Sequence, residues 1–376
     1  MFSITERNRR VRAAAGLMNK TGVSAVYITG NSTAGSGAHG YYRYFTGRRV
    51  YFSLSGFVLF ENGELIGIAG NQTGKSSLIE TSFADDAIIT QDQLGGAVEI
   101  LKSRGINSGR VGITAGTLPV SWLIRLREEL PDVDFVDFSV PLYSIREKKS
   151  EEEIEIQRVC ARIADSGYNT VCEKIKPGIF ENEIVAEMER AMQLSGAEEN
   201  LSLITSGKFS IGDNSLPPLH NNTVLNRKIE RGDIVTVQIS PRYLGYWTQL
   251  VRTVSVGEPN PDAVLLVRDV AGIIDDVKTI LKAKTPVSAV AGRMRERAEA
   301  AGYHLMTPCG HITAVDLFEE LLTEDSRDLL EPGMVIVIRP AIVTGGEQAV
   351  TLLGESFLLT GDGYEALTQS AGMYII

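Results

Sequence analysis

Gln238 and Gln249 stand eleven residues apart in a stretch, residues 232–253, whose apolar side chains alternate along two strands. Ile234, Val235, Val237 and Ile239 lead into Pro241-Arg242-Tyr243-Leu244-Gly245, and the chain returns through Trp247 to Val251. This is the pattern of a β-hairpin crossing a core. With the turn at Leu244-Gly245, both amides reach one face, because side chains alternate along a strand and opposed residues on paired strands lie close. Together they floor a polar pocket able to donate and accept hydrogen bonds, which suits a neutral amide, imide or urea-like group. His220 follows Pro217-Pro218-Leu219, whose prolines restrict the backbone leading to it. Histidine is the side chain whose ordinary pKa suits proton transfer at neutral pH.

Two regions must position these residues. The first, residues 1–145, reads as α/β. Residues 4–20 form an amphipathic helix with Val11, Ala14, Ala15 and Met18 on one side, and residues 24–28 a strand. Strands at 51–60 and 65–69 flank Asn62-Gly63, a hairpin signal because Asn-Gly accommodates the positive φ of tight primed turns. Strand 86–90, helix 94–104, strand 110–114 and helix 119–130 then alternate. The Gly- and Ser-rich run from Asn31 reads as a mobile loop that carries His39. It lacks the strand-then-helix context of a phosphate loop. In the second region, residues 146–376, helices at 266–281 and 287–300 and stripes such as Ile184, Val185, Met188, Ala191 and Met192 supply apolar faces for a sheet.

Composition bounds the function. A chain of 376 residues is long enough for two cores, and 43% hydrophobic content is ordinary for a globular protein. No apolar run reaches membrane-spanning length, and the start MFSITERNRR lacks a signal peptide's apolar region, so the expected location is the cytoplasm. Three cysteines without zinc-type spacing, Cys160, Cys172 and Cys309, fit reduced, buried thiols. A formal charge of −10 with no basic run argues against a nucleic-acid partner.

Several segments, taken in order, resemble the pita-bread fold family of creatinase, Xaa-Pro peptidases and methionine aminopeptidases. Tyr44-Phe45-Thr46-Gly47-Arg48-Arg49 is similar to a signature of creatinase-like amino-terminal domains, and Arg146-Glu147-Lys148-Lys149 to the entry of the catalytic domain. Leu203 to Gly207 with Asn214 and Pro217-Pro218-Leu219-His220 resembles the segment that ends in the family's reaction-centre histidine. The family's five metal ligands fall on Gln238, Gln249, His311, Arg339 and Gly354, of which only His311 keeps the family's residue type.

The resemblance implies an α/β (α+β) chain: a creatinase-like amino-terminal domain, residues 1–145, and a pita-bread domain, residues 146–376, with a curved antiparallel sheet covered by helices. Neutral amides and a guanidinium cannot offset two divalent ions, so no metal and no other cofactor is expected. A buried Arg339 calls for an anion, from Glu355, from Asp316 or from the substrate's carboxylate, for which Gly354 leaves room. The expected function is therefore a metal-independent, creatinase-like hydrolase, not a metallopeptidase, cleaving a C–N bond in a small carboxylate-bearing metabolite. In it His220 is the general acid/base, Arg339 the carboxylate anchor, and Gln238, Gln249 and His311 orient the scissile group. A metal-free lyase or isomerase would use the same groups. A catalytically inactive domain that binds a peptide or protein is the reading from another class. Creatinase further implies a homodimer in which Arg48 or Arg49 reaches the partner's substrate; a solvated strand edge is the other reading of that pair.

Overall fold

The computed structural model describes residues 2–31, 40–50, 54–212, 216–221, 223–345 and 349–376. His39, Asn214 and the first three residues of the expected strand at 51–60 lie outside the described residues. The chain divides into two compact units, Met1–Glu152 and Glu153–Ile376.

The first unit runs α1 (Ile4–Thr21), β1 (Val23–Asn31), α2 (Gly40–Thr46), β2 (Leu54–Phe60), β3 (Leu65–Ala69), α3 (Gln72–Thr81), β4 (Asp86–Ile89), α4 (Gln93–Ser103), β5 (Gly109–Ile113), α5 (Val120–Glu129), β6 (Val133–Asp137) and α6 (Ser139–Arg146). Its strands form one mixed sheet in the order β4-β3-β2-β1-β5-β6. The Asn62-Gly63 turn joins β2 to β3 as its composition predicts, with Gly63 at φ 89°. Three helices, α2, α3 and α6, have no counterpart in the sequence pattern. α2 is too short for a periodic signal, and α3 buries only Leu78, so it shows no apolar stripe. Asn71 starts α3 by accepting a hydrogen bond from the Gly74 amide.

The second unit runs α7 (Glu151–Lys174), α8 (Glu181–Leu194), β7 (Glu199–Gly207), β8 (Ile234–Tyr243), β9 (Tyr246–Trp247), β10 (Leu250–Ser255), α9 (Pro261–Lys278), α10 (Val287–Ala300), β11 (His304–Met306), β12 (Gly310–Thr313), β13 (Glu320–Leu321), β14 (Val335–Ile338), β15 (Ala341–Val343), β16 (Ala349–Val350), β17 (Glu355–Leu359), β18 (Tyr364–Ala366) and β19 (Met373–Ile375). Two sheets carry the site, β19-β10-β8-β7 and β13-β12-β14-β17-β18. They join where Val251 and Gly354 exchange two backbone hydrogen bonds of 3.0 Å.

Each sheet has one helix-covered face. Ile204, Val237, Ile239 and Leu250 pack with Ile163, Tyr168, Ile184 and Met188 of α7 and α8. Ile312, Ile336, Ile338 and Phe357 pack with Leu266, Val270, Ile273 and Met294 of α9 and α10. Strand alternation sends the residues between them to the other face. Among the described residues, no helix is long and apolar enough to cross a membrane.

Candidate functional site

The polar residues gather on the helix-free faces around the Val251–Gly354 bridge. Tyr243 pairs with Tyr246 across Leu244 and Gly245, both at positive φ (47° and 94°), so the hairpin turns where its sequence predicts. Leu250 then lies opposite Ile239 and Val251 opposite Gln238. This register sets Gln249 beside Ser240, and the Gln249 Nε2 donates to Ser240 Oγ at 3.2 Å. Gln238 and Gln249 thus share one face, 2% and 0% exposed.

His311 lies opposite Val337 on β12 and β14, and its Nε2 is 3.4 Å from Gln249 Oε1. The Phe318 ring packs edge-on against it, with centroids 4.6 Å apart. Arg339 follows β14 on the same face as Val337, and its Nη1 donates to Gln238 Oε1 at 2.8 Å. One cluster therefore unites Gln238, Gln249, His311 and Arg339.

Among the described residues, Arg339 is a cation without an anion. Its Nε is buried and makes no hydrogen bond, and among the described residues it forms no ion pair. Burial lowers its pKa from the ordinary arginine value, yet a guanidinium stays protonated. Neither expected carboxylate partner reaches it. Glu355 turns to Arg252 at 3.4 Å and to Lys278 at 3.2 Å, as the alternation from Gly354 requires. The room expected at Gly354 is also taken. A Cβ there would lie 3.1 Å from Arg339 Cγ and 3.0 Å from Val251 Cγ2, so the glycine seats the arginine's own stem.

Beside Arg339 lies a cavity of about 230 Å3, lined also by Thr205, Thr236, Pro217, Pro218 and Leu219. Thr205 and Thr236 pair across β7 and β8 on the face of Gln238. The sequence reading passed over them, although the alternation that places Gln238 also places them.

His220 is not brought to this cluster. Its backbone exchanges hydrogen bonds of 3.0 and 2.9 Å with Ile204, whose side chain belongs to the helix-covered face. Accordingly His220 Nε2 lies 3.6 Å from Glu181 Oε2 at the start of α8. It lines a separate cavity of about 200 Å3 with Asn182 and Asn226, while Leu219 faces the Arg339 cavity. A general acid/base role toward a group held by Arg339 is thereby corrected, because adjacent residues of an extended segment face opposite ways. Arg48 donates to Ser77 O, Ser77 Oγ and Thr81 Oγ1 at 2.7 to 3.0 Å, all on α3 of its own unit. Arg49 lines a cavity of about 520 Å3 in the same unit.

Burial, and then the nearby Arg339 charge, push His311 down from 6.5 to about 3. The unfolded chain takes up this proton near its ordinary value and the folded chain does not. Stability from this group is complete above about pH 6.5 and is lost as pH falls toward 3, by up to about 1.4 kcal/mol per pH unit. His311→Gln is expected to flatten the fall of unfolding free energy between pH 6.5 and 4; denaturant titrations giving both proteins the same slope would refute the assignment.

These two sheets with their covering helices define a pita-bread domain, preceded by a creatinase-like α/β domain. Residues 155–361 match metallopeptidase family M24, residues 10–148 match the creatinase/prolidase N-terminal domain, and the chain belongs to that family. It is 27% identical over 290 residues to an uncharacterized peptidase, YqhT, of Bacillus subtilis, covering 74% of this chain and 77% of the relative. It is 28% identical over 281 residues to the Xaa-Pro dipeptidase of Pyrococcus furiosus, covering 72% and 76%. The X-Pro aminopeptidase structure from Thermotoga maritima superposes with a TM-score of 0.84 at 20% identity, covering 97% of this chain and 99% of that one.

These relationships correct the expected activity. The family is one of metallopeptidases, and the relatives named for an activity are Xaa-Pro dipeptidases. A metal-independent hydrolase of small metabolites, standing outside the metallopeptidases, does not hold. That expectation rested on four exchanged positions, Gln238, Gln249, Arg339 and Gly354, which bear on ion binding and not on the class of ligand the fold admits. The five positions themselves offer two amides, one imidazole, one guanidinium and a glycine. Among the described residues, no three His, Cys, Asp or Glu side chains cluster so as to hold a metal ion. With a guanidinium seated on Gln238, this donor set does not fit the family's pair of divalent ions.

Proposed function

We propose that this chain takes short peptides of the Xaa-Pro kind into the cavity beside Arg339. The observation that carries the reading is that cavity: about 230 Å3 on the helix-free face, walled by Leu216, Pro217, Pro218 and Leu219, with Arg339 as its charged group. Apolar walls with a few converging polar groups are the usual makeup of a small-ligand site, and this volume suits a single residue of a peptide rather than a long segment. Gln238 Oε1 is engaged by Arg339, while its Nε2 makes no hydrogen bond among the described residues and can donate to a peptide carbonyl. The Xaa-Pro dipeptidase relatives support the same ligand class.

The test is a titration with Gly-Pro, Ala-Pro and Ala-Ala, followed by thermal unfolding and calorimetry. Release of free proline is followed in parallel, with and without added divalent ions. At about one hundred times its dissociation constant a bound peptide should stabilise the fold by about 2.7 kcal/mol. Failure of both proline peptides to stabilise the chain at millimolar concentration would overturn the reading; release of proline would extend it from binding to hydrolysis at this pocket.

A further inference from the structure

We infer that the group held at Arg339 is a free carboxylate, so that the pocket selects peptides by their unblocked carboxyl end. The inference rests on the peptide reading above and names which part of the peptide enters. Three observations converge on it. Arg339 keeps a buried, unpartnered Nε on a guanidinium whose hydrogen bond goes to a neutral amide. A half-buried cation whose Nε is enclosed and unpaired gains from a counter-charge, and an arginine fork pairs best with a planar carboxylate through two parallel bonds.

The second observation is the seating of the arginine. Its stem lies where a Cβ at Gly354 would come within 3.1 Å, so the glycine and the arginine form one device. A larger residue at 354 would move the guanidinium. The third is the polarity of the cavity. Thr205 Oγ1 already donates to Pro217 O at 2.7 Å, and Thr236 Oγ1 shares a 3.1 Å bond with Thr253 Oγ1. Among the described residues lining the cavity, Arg339 is the one cation. A single positive charge between apolar walls complements a single negative charge, which fits a carboxylate better than a doubly charged phosphate.

Ala-Pro and its carboxamide match in shape and differ in that charge and in one oxygen acceptor replaced by an NH2 donor, and each is titrated into wild type and Arg339→Gln. The acid should bind wild type at least roughly tenfold more tightly than the amide, the scale of one charge-assisted hydrogen bond. Arg339→Gln should bring the two within about threefold of each other, and Arg339→Lys should keep part of the preference, having the charge without the fork. Gly354→Ala serves as a second variant that keeps the charge: it should weaken the acid and leave the amide within about threefold. Equal affinity of wild type for acid and amide, or a preference that survives Arg339→Gln, would overturn the inference while leaving peptide binding intact. If neither dipeptide binds, the peptide reading fails separately, and N-acetylproline decides the carboxylate site. Stabilisation of wild type but not of Arg339→Gln by that acid supports it, and no difference between them overturns it. Inorganic phosphate, titrated alongside, should stabilise neither; an Arg339-dependent effect larger than that of the carboxylates would overturn the choice of ligand.

Discussion

Gly310→Ala is expected to prevent the second unit from folding. A Cβ at this position would lie 2.1 Å from the Val337 carbonyl oxygen and 3.2 Å from Leu322 Cδ2. The first contact is with backbone in the neighbouring strand, so no rotamer change relieves it. β12 and β14 would have to part where Gly310 faces Ile338 and where Cys309 accepts from the Arg339 amide at 2.9 Å. Forcing atoms into a packed core costs about 1 to 3 kcal/mol when side chains can yield, and displacing a central strand exceeds that. A loss above about 4 kcal/mol would consume much of a typical domain's stability. Gly16→Ala supplies the contrast, since nothing lies within 4 Å of its added Cβ inside α1. There the change should stabilise by about 0.5 to 1 kcal/mol, the helix-propensity difference between the residues. Denaturant melts that place Gly310→Ala within 1 kcal/mol of wild type would contradict the strand spacing that positions His311 and Arg339.

The outcome at each residue shows which parts of the site a sequence can disclose. Gln238 and Gln249 were legible because strand alternation and a two-residue turn leave one register, and side chains on one face follow from it. His220 was not. Two prolines and an irregular approach precede it, so no alternation runs into it, and the Ile204 bridge that sets its direction comes from a strand far back in the chain. The separation of sixteen residues between Ile204 and His220 takes in residues outside the described set, and no local rule spans it. Arg339 and Gly354 were each visible as exchanges, yet their dependence was not. It arises from β14 lying against β17, a pairing that brings the arginine's Cγ to the glycine. The same limit explains α3, whose polar sequence hides a helix that only its Asn71 cap announces. Local periodicity thus carries the faces of regular strands. What a side chain meets across a sheet junction depends on long-range register.

Arg339→Glu should reverse the pocket's response to both charge and pH. In wild type a guanidinium and a bound carboxylate about 4 Å apart attract by roughly 4 kcal/mol at an effective dielectric of about 20, and a glutamate there would repel by a similar amount. Even after solvent and side-chain relaxation absorb half of that difference, affinity for the free-acid peptide should fall by more than about a thousandfold, or about 4 kcal/mol. The amide of the same peptide should be affected far less. The pH dependence separates this from simple damage. The wild-type guanidinium stays charged, so its binding weakens only as the peptide's own carboxyl protonates, near about pH 3.5. A glutamate at 339 would sit half-buried beside Gln238 with no cation near it among the described residues, which raises its pKa above the ordinary carboxylate value. As pH falls from 7 toward 5 that glutamate should take up a proton, the repulsion should vanish, and the variant should regain affinity over the range in which wild type is flat. Calorimetric titrations at pH 7, 6 and 5 check the sign. A variant whose affinity is equally poor at all three values has lost the pocket's shape rather than its charge, and one that binds like wild type at pH 7 shows that the carboxylate is held elsewhere.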